Sequence, residues 1–204
     1  MEWQYTPYIS HLILSAGIAI AVGWYARTRR NFACALPLMA LMFAVAEWCL
    51  AYALRLGHVN LTGKLFWTRV QYLGIVTVPG AWLALALAYP GREHWLTRRI
   101  LAVLSIEPLL MLLLVWTNGW LHNWVWQDIK VTSIATLTVW ESTPAVGYIL
   151  HSFYAYALII AGTVLLVQSA IRVSSLYRDQ ASVLLFSVIF PVVINAFSFF
   201  DWNP

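Results

Sequence analysis

The chain has 204 residues, 62% of them hydrophobic and only 10% charged. Soluble domains carry about a quarter charged residues, so a water-soluble core is excluded in favour of a membrane bundle. The net charge of +4 does not argue for nucleic acid, because most of the basic residues sit in short turns between apolar runs. Cys34 and Cys49 lie inside such runs and read as small apolar residues, not as a disulfide or metal pair.

Apolar stretches of about 20 residues are long enough to cross a ~30 Å hydrocarbon layer. The first is expected at about 8–26; without a basic start or a cleavage site before it, it serves as the insertion signal. The turn after it carries Arg27, Arg29 and Arg30. A second helix is expected at 33–54, with Glu47 on its outer half, and a third at 66–89, with Arg69, Gln71 and Tyr72 near its start and Pro79 inside it. Arg92, Arg98 and Arg99 occupy the next turn. The fourth helix, 98–116, contains Glu107 directly before Pro108. Kinks are expected at Pro79 and Pro108, which bundles tolerate because neighbouring groups satisfy the freed carbonyls.

The long connection 117–147 contains partly alternating β-branched residues over 129–140, which predicts a small hairpin folded over the mouth of the bundle. Helix five is expected at 148–171, with Tyr148, His151 and Tyr154 at three-residue spacing. Arg172 and Arg178 follow, then a sixth helix at 182–200 with Pro191 and Asn195. The fold class is therefore an all-α integral membrane bundle of six helices, with a small extracytoplasmic hairpin.

Orientation follows from the turns. Alternate turns hold eight of the twelve Lys and Arg residues, which places them in the cytoplasm and the N-terminus outside. Six helices would end outside, so a seventh, absent here, is expected to return the chain inward.

The ionisable and polar groups within the spans fall in the outer half: Glu47, Arg69, Glu107, His151 and Asn195, with Glu47 and Glu107 at depths of roughly 10–14 Å. Such groups are costly in a bilayer and turn inward. They describe a polar cavity open outward, with Tyr72, Tyr154 and Trp126 as candidate walls. Glu47 reads either as a clamp to Arg69 or as a ligand contact; Glu107 as a ligand contact or a bond to a neighbouring helix; Asn195 as a ligand contact or helix–helix glue. Many tryptophans on this side fit an interfacial belt as well as ligand walls. The histidines match no compact metal spacing, and no metal, cofactor or catalytic motif is expected.

Several segments together resemble the seven-transmembrane sensor region at the N-terminus of bacterial and archaeal histidine kinases: Glu47, then FWTRVQYLGIVTVPGAWLALALAYPG at 66–91, TNGWLHNWVW at 117–126, and SLYRDQASVLLFSVIFPVVINAF at 175–197. The matching positions are Glu47, Trp67, Arg69, Gln71, Tyr72, Pro79, Trp82, Thr117, Asn118, His122, Trp126, Pro191 and Asn195, whereas Glu107 departs from a usual apolar residue. The resemblance implies a non-enzymatic sensor domain in the cell membrane that reads a small extracytoplasmic ligand. It also implies PAS or kinase-type output domains beyond this chain. The rival readings are a transporter or channel component, and a ligand-free anchor or homodimerisation module supported by small residues such as Gly17, Gly23 and Gly162.

Overall fold

The computed structural model describes residues 3–88, 93–134 and 137–172. Five helices are present among them: α1 (Pro7–Thr28), α2 (Ala35–Gly57), α3 (Leu61–Leu87), α4 (Arg98–Thr117) and α5 (Val146–Arg172). All five are long and apolar enough to cross a membrane. This corrects the expected count of six. The count rested on apolar length alone, which reports a capacity to span and not a packed helix. The stretch expected as the sixth helix, with Pro191 and Asn195, lies outside the described residues.

Local chemistry sets the helix starts. Pro7 occupies the first turn of α1, where its missing N–H costs nothing. The Asn60 carboxamide accepts from Gly63 N at 2.8 Å and starts α3 five residues before the expected position. Thr97 accepts from Ile100 N at 3.3 Å and starts α4. Both α3 and α4 continue through their internal prolines, Pro79 and Pro108.

At the centre stands α3. Its apolar span is 67% buried, against 11% for α4. It packs against α2, α4 and α5, while α1 packs on α2 through Ala16, Ala19 and Ala46. Gly74 lets α2 approach closely, since a Cβ there would collide with the Ala44 carbonyl and the Glu47 carboxylate. Farther along, Trp82 reaches α5, donating its Nε1 proton to Ile159 O at 3.2 Å and Thr163 Oγ1 at 3.3 Å. Leu41, Trp82, Leu85, Ala86 and Leu166 form an apolar cluster at this level.

Between α4 and α5 runs an antiparallel hairpin, β1 (Trp126–Ile134) and β2 (Leu137–Pro144), longer than the alternating stretch suggested. Its register pairs Val131 with Trp140 and Trp126 with Pro144, with an irregularity between Gln127 and Lys130 where Asp128 takes φ 50°.

Candidate functional site

The hairpin meets the α2–α3 turn and the segment before α1. Lys64, only 1% exposed, donates from Nζ to Thr138 O at 2.8 Å and to Arg55 O at 3.4 Å. Gln4 pairs with the same residue as a strand would: its Nε2 donates to Thr138 O at 3.0 Å, and Thr138 N donates to its Oε1 at 2.9 Å. That amide also donates to Leu56 O at 2.7 Å. The other end of the hairpin is fixed by Asn118, whose Oδ1 accepts from Val125 N at 3.0 Å and Trp126 N at 3.3 Å. Thr117 Oγ1 and His122 Nε2 share a 2.9 Å hydrogen bond in the same turn.

Beneath the hairpin lies a cavity of about 290 Å³. Thr68, Gln71, Tyr72 and Ile75 line it from one face of α3, Arg55 from the last turn of α2, and Tyr148 from the first turn of α5. Trp140, Ser142 and Pro144 alternate along β2 and present one face of the strand to the cavity, beside Trp126. The Trp126 ring meets Tyr72 edge-on at 5.2 Å and Trp140 at 5.6 Å. Glu141 lies between Trp140 and Ser142 on the alternate phase of the strand and pairs with Lys130 at 3.2 Å. A hydrogen bond from the Thr132 hydroxyl, then the Lys130 ammonium, holds its carboxyl below the usual carboxylate range.

Two of the eight residues expected at the site, Tyr72 and Trp126, line this cavity. Glu107 and His151 form a separate pair, Nδ1 to Oε1 at 2.8 Å, joining α4 to α5. Tyr154 adds a second link by donating to Leu104 O at 2.8 Å. The imidazole of His151 lies 6.3 Å from the Tyr72 ring, so this pair borders the cavity wall. His151 Nε2 and Glu107 Oε2 are buried without a partner among the described residues.

The expected clamp between Glu47 and Arg69 is not formed. Arg69 instead donates from Nη2 to Asn118 O at 3.0 Å, and the Glu47 carboxylate is buried against Gly74 of α3. Two ionisable groups on adjacent helices meet only if the helices turn them toward each other, and nearly uniform apolarity leaves that rotation unspecified in the sequence. Asn195 lies outside the described residues.

Sequence reasoning missed Arg55 and Ser142 as lining residues, and met Trp140 only as one of several tryptophans that fit an interfacial belt as well as ligand walls. Arg55 offered a signal: it ends an apolar helix with no acidic residue three or four positions away on either side.

Among the described residues no group of three or more His, Cys, Asp or Glu side chains is placed to hold a metal ion.

Residues 11–204 match the family model described as the N-terminal 7TM region of histidine kinase. No curated protein and no solved structure matches the chain. The match covers nearly the whole length and agrees with the segments that carried the resemblance. A multi-pass membrane setting follows from it and from the apolar helices. The chain belongs to the family of N-terminal seven-transmembrane sensor regions of histidine kinases.

Proposed function

We propose that this chain reads a small molecule in the cavity under the β1–β2 hairpin and passes its occupancy to cytoplasmic output domains of PAS or kinase type. The single observation that carries the reading is the cavity itself, walled by Tyr72, Trp126, Trp140 and Tyr148 and roofed by a tethered hairpin. Its volume sits at the lower edge of the ~300–1,000 Å³ range of ligand pockets.

Orientation in the cell membrane is part of the proposal. Arg27, Arg29, Arg30, Arg98 and Arg99 occupy the end of the bundle away from the hairpin. With those residues cytoplasmic, the N-terminus and hairpin face outward. The apolar cluster of Leu41, Trp82, Leu85 and Leu166 favours a receptor over a transporter, which needs a polar path along its length. Occupancy would be felt by α4 and α5 through Tyr72 and the Glu107–His151 pair, with Glu47, Arg69 and Tyr154 holding the alternative helix arrangements. A ligand of equal affinity for both arrangements shifts neither, so Tyr72 and the hairpin must sit differently in the two.

The test is the phosphorylation output of the full-length kinase in membrane vesicles. Tyr72→Ala and Trp140→Ala, expressed at parental levels, are expected to remove the response to extracts that stimulate the parent. An unchanged response in both variants overturns the ligand site.

A further inference from the structure

The charge around the cavity is unbalanced. Arg55 lines it, its guanidinium 4.4 Å from the Tyr52 ring centroid, and no carboxylate among the described residues pairs with it. The buried Lys64 ammonium adds a second positive charge beside it, satisfied by carbonyl oxygens alone. The nearby acids do not compensate. Glu141 is taken by Lys130, Glu107 at the cavity wall is taken by His151, and Glu47 is two turns away, ~12 Å along α2. Withdrawing two cations from water without a counter-charge is costly unless an anion joins them.

The remaining polar groups have a matching arrangement. Ser142 Oγ accepts from Trp140 Nε1 at 2.9 Å and keeps its own proton to donate. Gln71 is 5% exposed and its Oε1 has no partner among the described residues, so it can accept a hydrogen bond. Between these groups the walls are aromatic.

We infer that the cavity takes a small organic anion with a flat aromatic body: its carboxylate-type group at Arg55 and Ser142, its ring against Tyr72 and Trp140, and a donor group at Gln71. This rests on the reading of the chain as a ligand sensor. An arginine fork favours planar anions of this kind over simple halides.

The experiment titrates the full-length protein in nanodiscs with indole-3-acetate and 4-hydroxybenzoate, following the heat of binding by isothermal calorimetry and the thermal midpoint. Their amides and tryptamine are the neutral and cationic counterparts. The acids are expected to saturate and raise the midpoint, with the amides at least about tenfold weaker, since a hydrogen bond to a charged group is lost. Arg55→Gln should weaken the acids by about tenfold or more and erase their advantage over the amides. Arg55→Lys should keep part of it, and serves as the decisive variant if Arg55→Gln does not fold.

Amides or tryptamine binding as well as the acids, and lost in Trp140→Ala, overturn the anion assignment while leaving a small-molecule cavity in place. Failure of every probe to bind the folded parent also overturns it. The sensor reading is then decided separately by the kinase response of the Tyr72 and Trp140 variants.

Discussion

Lys64 Nζ and Thr138 O, 2.8 Å apart, join the first turn of α3 to the second strand of the hairpin. The lysine is 74 residues away in sequence and almost wholly buried, so it works as a tether and not as an interfacial anchor. Lys64→Met removes the tether while keeping most of the side-chain volume. It should cost about 2 kcal/mol and speed amide exchange through β2 relative to α2 and α3, as read by hydrogen–deuterium exchange.

Asn118 organises the other end of the roof. It is 2% exposed and bonds Val125 N, Trp126 N and Trp126 O through its side chain, while its carbonyl accepts from Arg69. Asn118→Ala leaves several buried backbone groups unsatisfied, each costing about 1–3 kcal/mol. The expected result is loss of the folded 118–126 turn, seen as a lower thermal midpoint and a shift in tryptophan emission.

Small residues make the helix contacts possible. Gly74→Ala would drive a methyl group into the Ala44 carbonyl and the Glu47 carboxylate, and Gly162→Ala would meet the Trp82 indole. Each should destabilise by about 1–3 kcal/mol. Gly80→Ala meets no atom within 4 Å and should be tolerated, which makes it the control in a detergent-melting comparison.

Glu107 and His151 should be energetically coupled. A double-mutant cycle with Glu107→Gln and His151→Phe is expected to give about 0.5–2 kcal/mol of interaction, the range for polar pairs between membrane helices. Additive effects would mean that the 2.8 Å contact contributes nothing to stability.

The pH behaviour of the hairpin follows from Glu141. Its carboxyl is held low, chiefly by the Thr132 hydroxyl and then by Lys130. A depressed acid contributes stability above its unfolded-state pKa and loses that contribution as pH falls through its folded-state value. The contribution of Glu141 to hairpin order should therefore be lost in acid. Thr132→Val should raise the titration midpoint of Glu141, measured by carboxyl carbon NMR.

The family and the membrane setting were legible because they depend on composition and on long segments such as the one at 66–91. Rotation about the helix axes was not. Glu47 and Arg69 could be placed at similar depth, but depth does not say that Arg69 points to Asn118. The start of α3 was read five residues late, at Phe66, which left Lys64 in the preceding turn. The Asn60 cap, with Gly63 three residues on, was the overlooked signal. Arg55 was counted only toward orientation, although its lack of an acidic neighbour marked it as a charge in need of a counter-ion.

The Gln4 carboxamide joins the stretch before α1 to Thr138 at the far side of the sequence. The Trp3 ring also packs over Gly57, where any larger residue would displace it. Any affinity tag or fluorescent fusion added at the amino end would pull on the lid of the cavity. Reporter and purification strategies for this sensor region should leave that end bare and attach their cargo elsewhere.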